Sequence, residues 1–245
     1  MNPRLIALFA FSALNAHGAE IKVAVAANFT APMKQIASDF EKETGNQVSL
    51  SFGGTGQFYA QIKNGAPYDL LLAADRKTPE KLEKEGLAQG RFTYAVGKLA
   101  LWSPKAGLVD GDGKILEGAA FSHLAVANPK LAPYGEAAME TLAGMRRLDA
   151  LRPKIVQGEN ISQTWQFVAS GNAELGFVAL SQIWKGGKLS SGSAWVVPGK
   201  FYMPIRQDAA VLSSSKEKTA ANALANYLKG EKAKAVMRAY GYDFQ

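Results

Sequence analysis

The sequence predicts an α/β fold in two units, each built on a parallel sheet flanked by helices. Three observations carry this prediction. Strand and helix patterns alternate over the first third of the chain, and the alternation restarts near residue 124. Several of the strands are apolar throughout, as strands buried on both faces of a parallel sheet are. With 245 residues, 47% of them hydrophobic and 20% charged, the chain is long enough for one large or two small globular domains.

The elements follow in order. Residues 21–26 alternate and then turn apolar, the pattern of a buried strand. Asn28 or Thr30 can cap the next helix and Pro32 suits its first turn. Met33, Ile36, Ala37 and Phe40 share one helical face, and Gly45 ends it. Residues 48–52 form a short strand running into Gly53-Gly54-Thr55-Gly56, and 57–64 a helix. Residues 68–74 are a nearly continuous apolar strand, 78–86 a short charged helix, and 94–103 one strand that leaves this unit. The stretch 105–118 is loop-rich and holds Asp110-Gly111-Asp112-Gly113. It lacks the later acidic positions and closing Glu of a calcium loop, and reads as a solvated turn.

The second unit comprises a strand at 124–127, a helix over 136–145 opened by Tyr134-Gly135, and a strand at 154–156. A helix over 163–170, opened by Asn160-Ile161-Ser162, a buried strand at 175–179 and a strand at 195–197 complete it. Residues 204–212 return as a strand, and 217–229 and 231–240 are closing helices.

Composition removes whole classes of chemistry. Without Cys there are no thiolate metal sites, iron–sulfur clusters, thiol nucleophiles or disulfides, and two His leave little for an imidazole metal site. The formal charge is +7, yet the basic residues are spread without a cluster interleaved with aromatics, which excludes a nucleic-acid reading.

Residues 1–19 have the grammar of a secretory signal peptide: a basic start at Arg4, an apolar run over 5–14, and small residues before cleavage near Gly18 or Ala19. The run is too short for a membrane span. Cleavage removes Arg4 and His17, so the formal charge falls by one and His123 remains as the single histidine. No later stretch is apolar enough to span, so the expected product is an exported, soluble protein without stable membrane insertion.

Four loops share a character. Ala27-Asn28-Phe29-Thr30, Gly53-Gly54-Thr55-Gly56, Ala132-Pro133-Tyr134-Gly135 and Glu159-Asn160-Ile161-Ser162 each follow a strand and open a helix. Helix starts expose unpaired N–H groups at the positive end of the macrodipole, and ligands of open α/β sheets collect at strand carboxyl ends. Two units facing each other would line a cleft with four such starts. Each loop alone is also an ordinary capped junction, and none carries the phosphate-loop ending.

These same residues carry a family resemblance. The segments Ala26-Ala27-Asn28-Phe29-Thr30-Ala31-Pro32-Met33, Ser51-Phe52-Gly53-Gly54-Thr55-Gly56 and Asn64-Gly65-Ala66-Pro67-Tyr68-Asp69-Leu70 resemble the periplasmic molybdate-binding proteins of bacterial ABC importers. So do Ala73-Ala74-Asp75, Asn128-Pro129-Lys130-Leu131-Ala132-Pro133-Tyr134-Gly135, Glu159-Asn160-Ile161-Ser162-Gln163, Glu174-Leu175-Gly176-Phe177-Val178-Ala179 and Tyr227-Leu228-Lys229-Gly230, in the family's order over nearly the whole mature chain.

The resemblance implies a two-lobed type II periplasmic-binding-protein fold, each lobe a mixed, mostly parallel sheet. One lobe would hold residues 20–99 and 204–245, the other 100–203. It implies a molybdate or tungstate oxyanion bound in the cleft by Asn28, Thr55, Tyr134 and Ile161, through oxygens and with no direct protein–metal ligand or further cofactor. Asn28 would donate from its side-chain amide and backbone N–H, Thr55 from hydroxyl and backbone, Ile161 from backbone alone, and Tyr134 from backbone, hydroxyl or both. Some members place a tyrosine where this chain has Ala179, a donor that the Tyr134 hydroxyl would replace. The implied partners are an inner-membrane permease and its ATPase, the implied location is the periplasm, and the receptor would be a monomer and not an enzyme.

Two other readings stand beside this one. The same fold can bind sulfate, phosphate, chromate or ferric ion; phosphate wants a carboxylate acceptor and ferric ion wants paired tyrosines or carboxylates, and the four loops offer Tyr134 and Glu159. A secreted hydrolase would need Ser162 or Ser122 with His123, but neither serine sits in a Gly-x-Ser-x-Gly elbow. Asp69 and Asp75 flank a buried strand and read as capping or loop carboxylates.

Overall fold

The computed structural model describes residues 18–118 and 120–244; the basic start and apolar run of the expected leader lie outside the described residues. The chain runs β1 (Glu20–Ala26), α1 (Thr30–Thr44), β2 (Gln47–Gly53), α2 (Thr55–Lys63), β3 (Leu70–Leu72), α3 (Lys77–Lys84) and β4 (Ala88–Gly97). It continues through β5 (Leu99–Ser103), β6 (Leu124–Ala127), α4 (Pro133–Gly144), α5 (Leu148–Leu151), β7 (Ile155–Gly158), α6 (Ile161–Ala169) and β8 (Leu175–Ala179). Then come α7 (Leu180–Ile183), the hairpin β9 (Trp184–Lys185) and β10 (Lys188–Leu189), β11 (Ser193–Val196), β12 (Ile205–Leu212), α8 (Lys218–Lys229) and α9 (Glu231–Ala239).

Two five-stranded mixed sheets result, one per lobe. The first has the order β2-β1-β3-β12-β4, with β1 parallel to β2 and β3, and β12 antiparallel to β3 and β4. The second has the order β11-β5-β8-β6-β7, with β6 parallel to β7 and β8, and β5 antiparallel to β8 and β11. The chain crosses between sheets after β4 and again between β11 and β12.

Each sheet buries both faces, as its apolar strands require. Ile21, Val23 and Val25 of β1 pack on Phe29 and on Met33, Ile36 and Phe40 of α1, with Leu224 and Leu228 of α8 completing the layer. Ala24, Leu71 and Ala210 face the other way, onto Phe58 and Leu82. In the second sheet, Leu124, Val126 and Phe177 face Leu142 of α4, while Ala125 and Val178 face Val168 of α6 and Trp102. Burial of each large side chain stabilises the fold by about 1.5–3 kcal/mol. Ala26, Ala27 and Ala74, at strand ends of the first sheet, join the apolar cluster of the second lobe, so the lobes touch where those strands end.

Three expectations change. The single strand expected over 94–103 is two strands in different sheets: Gly97 pairs with Ile205, Leu99 pairs with Ala179, and the chain changes sheets at Lys98. Gly97 leaves room beside this crossing for the Tyr134 hydroxyl and the Gln207 amide, with which a Cβ there would collide. The strand expected over 68–74 shrinks to Leu70–Leu72. Just before it, the Asp69 backbone still bonds Lys22 O and the Leu212 N–H, while its carboxylate accepts the Lys22 N–H at 2.8 Å and the Ser215 hydroxyl at 2.7 Å. Finally, α2, α4 and α6 start two to three residues earlier than their periodicity suggests, so the loop residues Thr55, Tyr134 and Ile161 belong to first helical turns. The short α5, α7 and the β9–β10 hairpin carry too little periodicity to be read from sequence. The expected turn near residue 110 forms, its Asp110 carboxylate accepting N–H groups of Asp112, Lys114 and Ile115.

Candidate functional site

Strands β1, β2, β6 and β7 point their carboxyl ends at one another across the junction of the lobes. β1 ends in a tight 3-10 turn over Ala27–Phe29, β2 leads through Gly54 into α2, and β6 and β7 lead into α4 and α6. These four segments enclose a narrow cavity with room, ≈ 10 Å³, for the centre of about one water-sized sphere. Asn28, Thr55, Tyr134 and Ile161 all line it, and each is 2% exposed.

The first helical turns supply its donors. Among the described residues, the backbone N–H groups of Thr55, Tyr134 and Ile161 have no protein acceptor. The caps account for this selectivity. The Asn160 side chain takes the N–H groups of Ser162 and Gln163 at 3.0 and 3.1 Å, leaving that of Ile161 for the cavity. Gln57 reaches back to the Gly54 N–H at 3.0 Å, one residue before Thr55. The Thr55 hydroxyl accepts the Ala74 N–H at 3.0 Å, so its own hydrogen is available to donate. Among the described residues no carboxylate or basic side chain lines the cavity, and the positive ends of α2, α4 and α6 face it.

Two side chains differ from the expected orientation. Asn28 Nδ2 donates to Gln207 Oε1 at 2.8 Å and to the Tyr242 hydroxyl at 2.9 Å, and its buried Oδ1 has no partner. The Tyr134 hydroxyl accepts from Gln207 Nε2 at 3.0 Å. Gln207, fully buried, also meets the Tyr94 hydroxyl at 2.9 Å, and the Tyr242 hydroxyl donates toward Asn28 O at 2.9 Å or Ser181 Oγ at 3.1 Å. Burial pushes the hydroxyls of Tyr94, Tyr134 and Tyr242 up, so all three stay protonated. Sequence reasoning missed this network. Its one available signal was the polar run Arg206-Gln207-Asp208 inside the return strand; Asp208 is held by Arg91 and by the Thr93 hydroxyl.

The lobes meet closely around the cavity. The Gly56 N–H donates to Leu131 O at 3.0 Å, Ser162 Oγ to Ala27 O at 3.3 Å and Ser181 Oγ to Asn28 O at 2.8 Å. At the cleft mouth Lys77 pairs with Glu136 at 3.1 Å. A much larger cavity of ≈ 520 Å³ lies there, lined by Asp75, Arg76, Lys77, Glu136, Met203 and Arg206 among others. Its lining mixes Asp75, Glu80, Glu136 and Glu140 with its basic residues, and carboxylates repel an anion, so the smaller cavity is the better candidate for the expected oxyanion.

The remaining candidates have structural roles. Asp75 accepts the Thr78 N–H at 2.8 Å at the start of α3, and burial raises its pKa. His123 lies in the open beside Glu174 at 3.8 Å, the Ser162 hydroxyl is engaged with Ala27 O, and among the described residues no hydrogen bond joins His123 to Ser122 or Ser162. Among the described residues, no three His, Cys, Asp or Glu gather where they would hold a metal ion, and no helix is long and apolar enough to cross a membrane.

Comparisons with known proteins agree with this architecture. The family model described as bacterial extracellular solute-binding protein matches residues 21–243. The molybdate-binding protein ModA of Azotobacter vinelandii is 61% identical over 232 residues, covering 94% of this chain and 92% of that protein. ModA of Rhodobacter capsulatus is 46% identical over 239 residues, covering 97% and 93%. The solved structure of an Azotobacter vinelandii periplasmic molybdate-binding protein superposes with a TM-score of 0.90 at 45% identity, over 92% of this chain and 99% of that one.

Proposed function

The chain belongs to the bacterial extracellular solute-binding protein family, and from that premise we propose that it is a periplasmic receptor that captures molybdate, or tungstate, for an ABC importer. The observation that carries the site is the convergence of the Thr55, Tyr134 and Ile161 N–H groups and the Thr55 hydroxyl on a cavity whose described lining has no carboxylate or basic side chain. A tetrahedral dianion with four acceptor oxygens and no proton at neutral pH suits such a site. Hydrogen bonds to a charged acceptor are roughly twice as strong as neutral ones, and three helix starts add to them.

In this reading Thr55 on one lobe and Tyr134 and Ile161 on the other grip the ion together, with Asn28 as the fourth ligand. Ile161 contributes its backbone only. The expected division into one lobe of residues 20–99 and 204–245 and another of 100–203 follows the two sheets except at its first boundary, because Leu99 already pairs in the second sheet. Closing the lobes over the ion creates the surface that the inner-membrane permease and its ATPase recognise, and the receptor works as a monomer after its leader is removed. Sulfate has the same charge and shape, so discrimination rests on size: donors spaced for the larger ion leave some unsatisfied around the smaller one.

A thermal-shift panel of oxyanions tests this reading. Molybdate and tungstate should raise the melting temperature strongly and sulfate should not. No shift with either metal oxyanion overturns the assignment.

A further inference from the structure

Asn28 is the ligand candidate whose side chain presents an unpartnered acceptor, the wrong group for an oxyanion. Its Nδ2 is committed to Gln207 Oε1 and the Tyr242 hydroxyl, which leaves the acceptor Oδ1 buried and unpartnered on a residue that lines the cavity. A buried acceptor without a donor is costly, and against an anion it repels. The network around it admits a second setting with the same heavy-atom positions.

Turning both amides over gives Asn28 Oδ1 two donors and leaves Asn28 Nδ2 alone free for a ligand. Gln207 Nε2 then faces Asn28 Oδ1 at the 2.8 Å contact and the Tyr94 hydroxyl at the 2.9 Å contact, while Tyr94 gives its hydrogen to Ala73 O at 3.0 Å. Gln207 Oε1 moves to the 3.0 Å contact with Tyr134 and accepts its hydroxyl hydrogen. The Tyr242 hydroxyl donates to Asn28 Oδ1 across 2.9 Å, because Ser181 Oγ already serves Asn28 O at 2.8 Å. Asn28 Nδ2 takes the free corner. Each hydroxyl can serve as donor or acceptor by rotating its hydrogen, which a carbonyl or an ammonium cannot do.

We infer that Gln207 is the positioning residue of the anion site: in the oxyanion-bound protein both amides adopt this second setting, so that Gln207 Nε2 holds Asn28 Oδ1 and aims Asn28 Nδ2 at the ligand. Gln207 itself touches no ligand. Its amide decides whether the cavity presents a donor or an acceptor at residue 28. This inference rests on the oxyanion reading of the site above.

The test is nuclear magnetic resonance of the 15N-labelled mature chain saturated with molybdate, with side-chain amides assigned through Asn28→Ser and Gln207→Met. The second setting places the Gln207 amide protons near the Tyr94 ring and leaves the Asn28 amide protons directed away from Tyr242. Cross-peaks from Gln207 amide protons to Tyr94, with none from Asn28 amide protons to Tyr242, are the expected result. Cross-peaks from Gln207 amide protons to Tyr134 and from Asn28 amide protons to Tyr242 in the saturated protein overturn the inference. Calorimetry on Gln207→Met should show about a tenfold loss of molybdate affinity, and a folded Gln207→Met protein with unchanged affinity also overturns it. A wild-type chain that releases no heat with molybdate or tungstate instead overturns the site reading itself.

Discussion

The Thr55 hydroxyl accepts the backbone N–H of Ala74 at 3.0 Å, a bond from the end of one strand to the first turn of a helix. That bond fixes the oxygen and leaves its hydrogen for the cavity. Thr55→Ala therefore removes a donor to the anion and strands the Ala74 N–H. The expected loss of molybdate affinity is about 10–100-fold, the size of one charge-assisted bond, with about 1 kcal/mol of stability lost as well. Thr55→Ser keeps both functions and should bind within a few-fold of wild type. Calorimetry and urea denaturation on the two variants check this, and equal affinities for Ala and Ser would remove the hydroxyl from the site.

Closure should depend on Gly56. A Cβ on this residue would stand 3.0 Å from Leu131 Cδ2 and 3.1 Å from Leu131 Cα, on the opposite lobe. Gly56 lies in the first turn of α2, where alanine is the better helix former by about 0.5–1 kcal/mol. Gly56→Ala therefore acts with opposite signs on the two measurements. The ligand-free protein should melt no lower than wild type, while overpacking by about 1–3 kcal/mol at the interlobe contact weakens molybdate binding roughly 5–100-fold. A parallel loss of both would mean that the residue matters to the lobe and not to closure.

The alternation of strands and helices was legible because apolar strands and amphipathic helices impose their own periods, as Met33, Ile36, Ala37 and Phe40 do on α1. The four loops were legible as helix starts for the same reason. What stayed hidden depends on pairing across the chain. Gly97 and Leu99 are two residues apart and pair in different sheets, a division that no local period encodes. Gln207 and Tyr242 lie 179 and 214 residues from Asn28, and their meeting is a product of the second crossing and the C-terminal segment. The four residues that meet in the cavity could be named from the family resemblance, whereas the network that orients one of them could not.

The ion pair between Lys77 and Glu136 spans the cleft mouth but should contribute little. Its side chains are 80% and 50% exposed, and pairs of that kind contribute about 0–1 kcal/mol. Glu136→Gln should change molybdate affinity by less than about fivefold at low salt and leave it unchanged at high salt. Stopped-flow release rates at two ionic strengths measure this. A large, salt-independent effect would make the pair a working latch.

Asp75 gives the protein a pH dependence of known sign. Burial raises its pKa above the ordinary carboxylate value, against hydrogen bonds from Thr78 that lower it. The native carboxyl therefore keeps its proton to a higher pH than the unfolded chain does. Its favourable contribution is complete below about pH 4 and is lost as the pH rises through the raised native value. At neutral pH the ionised group is buried at a cost, while its role in accepting the Thr78 N–H needs no charge. Asp75→Asn keeps that acceptor and removes the ionisation. The stability of Asp75→Asn relative to wild type should thus be lowest near pH 4 and rise toward pH 7.5, with urea unfolding at both values as the measurement. Other titrating groups are common to the two proteins and cancel in the difference, so a flat difference across this range would show that Asp75 ionises in the folded protein as it does in the unfolded one.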